Sequence, residues 1–198
     1  MSTPDPLPRR SAVHKLDIFV GGCALLISAV SLFMAYRSNQ VQERMLAASV
    51  WPYLAWDTSN YREDLQQEEV SLEIRNLGVG PARIETLQLS YKGQPIGNAK
   101  QLVMSCCKAE VEHLSHWSSR TSVINPMVIP AHDSVKFFAV VKTADNAALW
   151  DTFNRERFNV ESRVCYCSVL DSCWLLRSGN PVPESVSRCP APAAVEYH

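Results

Sequence analysis

The sequence predicts a mainly β fold, a β-sandwich with one or two short helices, preceded by a single N-terminal transmembrane helix. Three observations predict it. Residues 18–36 (IFVGGCALLISAVSLFMAY) are 19 consecutive positions without a charge, bounded by Asp17 and Arg37. From residue 50 onward the apolar period changes from helical to two, in short runs separated by Gly, Pro, Asn and Asp. Cys106, Cys107, Cys165, Cys167, Cys173 and Cys189 all lie in that later part, and the remaining cysteine, Cys23, lies in the apolar run.

Residues 1–15, with Pro4, Pro6 and Pro8, read as a disordered cytoplasmic tail. Residues 16–37 read as the membrane span. At about 1.5 Å per residue the uncharged run covers roughly 28 Å, close to the ~30 Å hydrocarbon core of a bilayer. It exceeds the h-region of a signal peptide, about 7–15 residues, and the YRSNQ that follows is a poor cleavage site. A helix of a soluble core rarely stays apolar on every face for so long. Gly21, Gly22, Ser28 and Ser31 are small enough for a second helix to approach, but they form no full GxxxG. Arg9, Arg10 and Lys15 precede the span whereas Arg37 and Arg44 follow it, a slight bias toward an N-terminus inside. Clustered thiols beyond a span point to disulfides and an oxidising compartment, which places the body outside.

Residues 38–49 (SNQVQERMLAAS) carry good helix formers with Val41, Met45 and Ala48 on one stripe, too short for a coiled coil, and read as a helical stalk. Pro52 stops it, since a proline disfavours helix at the residue before it. The body is expected over 50–178. Setting the tail and Asp17 aside, the chain carries a net charge near −2 and no basic run, which excludes a nucleic-acid footprint. Val70, Leu72 and Ile74 alternate with Ser71, Glu73 and Arg75, a strand with one wet face. A turn over 76–82 follows. Ala82 and Ile84 then point one way, and Leu87, Leu89 and Tyr91 keep the opposite frame, which predicts a β-bulge near Glu85 and Thr86. Lys92-Gly93 turns the chain into 94–96. Residues 125–133 form a loop into a strand at 134–141, apolar on nearly both faces and so expected to be central. Residues 143–157 read as a helix. Strands at 160–168 and 173–177 form a hairpin around Leu170-Asp171, and 179–198 read as a C-terminal extension, frayed over its last ten residues except at Cys189.

Two stretches, Asn76-x-Gly78-x-Gly80-Pro81-Ala82-x-Ile84 and Val128-Ile-Pro-Ala-His-Asp-Ser-Val135, carry a resemblance. The chain resembles uncharacterised bacterial single-pass membrane proteins with an immunoglobulin-like β-sandwich, whose pattern is close to NxGxGPAxI, a hairpin, and then a PAGES-like turn. Here His132-Asp133 replaces the Gly-Glu of that second turn. The resemblance covers residues 50–178 and rests on turn chemistry. It implies an immunoglobulin-like fold at a bacterial inner membrane and no catalytic residue.

The cysteines are the constellation with chemistry in it. Cys165 and Cys167 share one face of a strand, and Cys167 meets Cys173 across the hairpin, which makes that the leading disulfide. A bond between adjacent Cys106 and Cys107 would be strained, so these are expected to reach Cys165 and Cys189 instead. The connectivity of six cysteines is not decided by sequence. Cys106-Cys107 with His113-x-x-His116 could hold a metal, although no usual zinc spacing is matched. The Gly-rich turn lacks the Lys-Ser/Thr of a phosphate loop, and no CxxC, GxSxG or catalytic carboxylate pair stands out. His132-Asp133 reads as turn chemistry. Trp51, Trp56, Trp117, Trp150 and Trp174 read mainly as core, with Trp51 and Trp56 near enough to the span to touch the bilayer interface.

The expectation is therefore a protein-interaction or accessory module, not an enzyme, with no cofactor and no bound metal. Its partners would be the bilayer, through residues 16–37, and an unidentified protein. The alternative is a thiol- or metal-dependent envelope protein using Cys106, Cys107, His113 and His116.

Overall fold

The uncharged run and the stalk are one helix, because nothing between Arg10 and Ser49 breaks it and Pro52 lies just beyond. In a computed structural model, which describes residues 10–112, 118–122, 127–191 and 195–197, α1 spans Arg10–Ser49. It begins inside the segment read as a tail. Ser28 returns its hydroxyl proton to the carbonyl of Ala24, so a polar group in the apolar run is satisfied within the helix. The apolar side chains stay exposed, Leu25 and Leu32 at 74%. The helix is long and apolar enough to cross a membrane. Residues 1–48 and 49–198 are separate compact units.

The second unit is β-rich. Its strands are β1 (Leu54–Ser59), β2 (Glu69–Asn76), β3 (Ala82–Tyr91), β4 (Gln94–Ile96), β5 (Arg120–Thr121), β6 (Met127–Ile129), β7 (Ser134–Val141), β8 (Val160–Cys167), β9 (Cys173–Arg177) and β10 (Asn180–Val186). Two helices interrupt them, α2 (Ala99–Glu112) and α3 (Ala147–Glu156). The strands make two antiparallel sheets, one in the order β1-β2-β7-β5 and one in the order β10-β9-β8-β3-β4, with β6 also on β3. One core joins them: Leu54, Leu72, Ile74 and Phe138 from the first meet Ile84, Leu87, Val164 and Tyr166 from the second.

Two bulges explain the two irregular strands. On β3, Glu85 is the extra residue between the pairs Ile84–Tyr166 and Thr86–Cys165, so Ile84 and Leu87 are both buried despite opposite parity. On β7, Phe137 is the extra residue between the pairs Leu72–Phe138 and Glu73–Lys136, and Phe137 and Phe138 are both fully buried. The run that suggested two covered faces is thus a switch of frame that delivers successive phenylalanines to one core. Phe138 packs on Phe153 of α3 at 4.9 Å, and Phe137 on Trp56 at 5.5 Å.

Both helices have local causes. Asn98 Oδ1 accepts the Gln101 N–H at 2.9 Å and starts α2, whose Ala99, Leu102, Val103 and Cys107 face the core. α3 starts four residues later than expected. Thr143 N–H donates to Asn146 Oδ1 at 2.8 Å and Asn146 Nδ2 donates to Val141 O, and these side-chain bonds hold 143–146 out of the helix. Trp150 then donates its indole N–H to Val140 O, tying α3 to β7.

The tail corrects the expected boundary at 178. β10 pairs with β9, and the N–H of Tyr197 donates to Leu87 O at 3.0 Å. β6 covers Ala82–Ile84 of β3 and β4 covers Leu89–Tyr91, so Tyr197 fills the gap between them. Its ring is 1% exposed and meets Phe137 edge-on at 5.5 Å. Pairing and burial, which are non-local, make β10 and Tyr197 part of the body.

Candidate functional site

Alternation along β8 sends Val164 and Tyr166 into the shared core and Cys165 and Cys167 to the other face of their sheet. Cys167 lies directly opposite Cys173 in the β8–β9 hairpin, and the two are disulfide-bonded. The hairpin is tight, with Ser168 N–H donating to Ser172 O at 2.8 Å and Asp171 in the left-handed region at φ 58°. Cys165 is bonded to Cys189, which follows β10, with Cα atoms 5.7 Å apart. Cys167 Sγ lies 3.9 Å from Cys189 Sγ, so the two bridges form one sulfur cluster.

Cys106 and Cys107 do not reach this cluster, contrary to expectation. They are bonded to each other at a kink in α2, where Cys107 leaves helical geometry at φ −137° and ψ 32°. The reason is spatial. Cys107 is buried in the core on one side of the six-stranded sheet, and Cys165 lies on the other side. Their pairing also occupies the two sulfurs of the expected Cys106/Cys107/His113/His116 metal set. His113, His116 and Trp117 lie outside the described residues.

The turn that carries the resemblance is organised by Asn76, which is 1% exposed. Its Oδ1 accepts the N–H groups of Tyr53 and Gly78, at 3.2 and 3.0 Å. Its Nδ2 reaches the carbonyls of Gly80, Ile129 and Pro130, at 2.8, 3.1 and 3.1 Å. One amide thereby ties the end of β2 to the segment before β1 and to the loop after β6. The glycines have a steric cause, since a Cβ on Gly78 would meet the backbone of Tyr53, and one on Gly80 that of Val50. His132 sits in the left-handed region at φ 61°, and Asp133 Oδ1 accepts the Ser134 N–H. The pair is turn chemistry in the geometry too.

Two ionic groups brace the body. Glu69, 1% exposed, has Lys136 Nζ 3.1 Å from Oε1, with Arg62 and Arg120 at 3.6 and 3.7 Å from Oε2. At the end of α3, the Glu156 carboxylate accepts bonds from Tyr91 Oη at 2.6 Å, Asn159 Nδ2 at 2.8 Å and Lys92 Nζ at 2.9 Å. The Tyr91 bond, then those from Lys92 and Asn159, hold the Glu156 carboxyl down at about 2. A carboxyl whose pKa is lower in the folded state stabilises the fold above its unfolded value and stops doing so as pH falls toward the folded one. The wild type is therefore expected to lose on the order of 1 kcal/mol between about pH 4.5 and 2, allowing for solvent screening. Glu156→Gln removes that slope. Melting curves across the window check this, and parallel curves for the two proteins would refute it.

The sheet edges differ in what they offer. β10 carries Pro181 and Pro183, β5 has two residues, and Tyr197 occupies the open part of the β3 edge. β1 is six residues without proline and pairs only with β2 among the described residues. A groove of about 520 Å³ runs over the outer face of the larger sheet, lined by Gln88, Ser90, Glu161, Arg163 and Arg177 with Val195 beside them. Exposed apolar side chains gather near the Asn76 turn, with Leu77, Val79 and Trp51 at 53, 56 and 45%.

No protein-family model matches the chain, and neither a curated protein nor a solved structure matches it.

Sequence reasoning missed β1, β5, β10, the Tyr197 plug, α2, and β6, which lies inside the stretch 125–133 expected to be a loop. The α2 signal was present in Ala99, Leu102, Val103, Cys106 and Cys107, a stripe at i, i+3, i+4, i+7 and i+8. β1 offered no such signal, since Leu54–Ser59 has only a partial alternation.

Proposed function

We propose that this chain is a membrane-anchored accessory protein that binds a protein partner by strand addition at β1. In this reading α1 crosses a bacterial inner membrane through residues 16–37. The N-terminus is cytoplasmic, and the body, an immunoglobulin-like β-sandwich related to those of other bacterial single-pass proteins, lies outside. The observation that carries the reading is the contrast between edges. β10 is blunted by two prolines, as protected edges commonly are, whereas β1 has none. On β1 the Leu54 N–H donates to Tyr166 Oη and the Thr58 N–H to Asp57 Oδ1, which leaves Trp56 between them for a partner strand. An added strand would gain main-chain hydrogen bonds along β1 and side-chain contacts at alternate positions. The body's disulfides support the outside placement, because such bonds persist in oxidising compartments.

A photo-cross-linking residue at Asp57, half exposed on β1, is expected to give one discrete protein adduct in intact cells. The same residue at Val182 on β10 is expected to give none. On those cells a membrane-impermeant maleimide should label the body's thiols only after reduction. Equal adducts from both edges would overturn strand addition at β1. Labelling that needs lysis but no reductant would overturn the placement.

A further inference from the structure

We propose that Cys165, Cys167, Cys173 and Cys189, when reduced, form a four-thiolate site for a tetrahedral divalent cation, Zn²⁺. The site is independent of the β1 reading.

Part of the geometry is present in the oxidised protein. Four thiolates around Zn²⁺, each about 2.3 Å from the metal, lie roughly 3.8 Å from one another. Cys167 Sγ and Cys189 Sγ are already 3.9 Å apart although they are not bonded to each other. The sulfurs of Cys167, Cys173 and Cys189 all lie within 4.8 Å of one another, and Cys165 is the bonded partner of Cys189. The ligands have different origins, which makes the proximity informative. Cys165 and Cys167 are two apart on β8, Cys173 faces Cys167 from β9, and Cys189 arrives from the tail beyond β10. Three of them are thus positioned by strand register, and the tail brings the fourth to them, bonded to Cys165. Cys165, Cys167 and Cys173 are buried, so that bound metal would be shielded on the sheet side. A cavity of about 310 Å³ lined by Arg83, Asp171, Ser187 and Arg188 opens onto Cys167, Cys173 and Cys189 and supplies the entry path that a metal site needs.

The chemistry balances with a dithiol as reductant. A dithiol thiolate attacks Sγ of Cys189, the more accessible sulfur of its pair, and Cys165 leaves as a thiolate. The second dithiol sulfur then displaces Cys189 and closes the reductant to its own disulfide. A second dithiol opens Cys167–Cys173 in the same way. Each step moves two electrons and two protons to the protein, and metal binding returns the four thiol protons to solvent as the thiolates coordinate. The physical consequence is that the tail stays fastened in both states. A covalent bridge to Cys165 holds it under oxidising conditions, and the shared metal holds it under reducing ones.

The test uses the full-length chain in detergent micelles, reduced without oxygen by a water-soluble phosphine, since dithiols compete for metal. Titration with Co²⁺, a spectroscopic stand-in for Zn²⁺, is expected to give thiolate charge-transfer bands and the visible bands of tetrahedral cobalt at one metal per chain. Zn²⁺ should then displace the cobalt, and a disulfide oxidant should expel the metal. Cys106→Ser with Cys107→Ser is expected to leave the titration unchanged. Cys167→Ser with Cys173→Ser should abolish the bands. Cys189→Ala leaves the hairpin intact and should weaken binding by more than the roughly 10–100-fold typical of outer-shell changes. Failure of the reduced wild type to bind stoichiometric Co²⁺ would overturn the proposal. So would equal loss in the Cys106/Cys107 variant, or no change in Cys189→Ala.

Discussion

Asn76→Ala is expected to lower the stability of the β-rich body by about 3–5 kcal/mol, at the extreme of single-residue effects. The amide, itself 1% exposed, bonds five backbone groups of three segments, residues 53, 78–80 and 129–130. Each orphaned buried group costs about 1–3 kcal/mol, and relaxation of the turn recovers part of the sum. Asn76→Asp separates the two halves of the effect. It keeps the acceptor toward Tyr53 and Gly78, loses the donor toward three carbonyls, and buries a charge facing them. It should be at least as damaging as alanine. Urea denaturation of the full-length protein, followed by the fluorescence of Trp56, Trp150 and Trp174, measures both. A loss below about 1 kcal/mol for Asn76→Ala would show that the turn holds without its hub.

Tyr197→Ala is expected to destabilise the body, whereas Tyr197→Phe is not. The ring fills the gap on the β3 edge and packs against Phe137, so alanine leaves a cavity in the core and should cost about 3–5 kcal/mol. The hydroxyl, by contrast, is buried with no partner among the described residues, and burial pushes its pKa up to about 12. Phenylalanine keeps the ring and removes an unpaid desolvation cost, so it should leave stability unchanged or raise it by up to about 1 kcal/mol. The same denaturation experiment reads both variants. A neutral Tyr197→Ala would mean that the end of the chain does not complete the core. A costly Tyr197→Phe would mean that the hydroxyl has a partner.

The two ionic groups illustrate why exposure decides which predictions are large. Glu69 is buried, but Arg120 and Lys136 keep 66% and 37% of their side-chain surface and can return to water if the carboxylate is removed. Glu156 is similarly placed between a buried tyrosine and an exposed lysine. Neither site ties as many backbone groups through one buried side chain as the Asn76 hub does.

Much of the fold was legible in the residues. The uncharged run and the stalk are local: length and the absence of a breaker before Pro52 suffice to make one helix. The strands β2 and β3 are read from a two-residue period and the bulge at Glu85 from a change of parity, because a strand exposes its faces strictly in turn. β7 is read from a run apolar on nearly both faces, and β8 with β9 from a hairpin around Leu170-Asp171. The turn at 76–82 and the hairpin at Lys92-Gly93 follow from residues that tolerate close approach or a left-handed backbone. Cys167 and Cys173 belong to the same class, since hairpin register is set by a short loop.

Other features depended on contacts between residues far apart in the chain. The sequence could not say that Cys165 meets Cys189, nor that a sheet separates Cys165 from Cys107. Adjacent Cys106 and Cys107 bond to each other because the body's other four cysteines stand on the far side of the larger sheet or in the tail beyond it. β10 reads as a proline-containing tail until β9 is seen to present an edge to it, and Tyr197 reads as a frayed end until the gap on β3 is known. β1, the edge on which the proposed function rests, is a strand because β2 is already there to receive it. Local chemistry thus determines which segments extend, turn or coil. Which faces they cover, and which sulfurs meet across them, was decided only when the two sheets closed on one core.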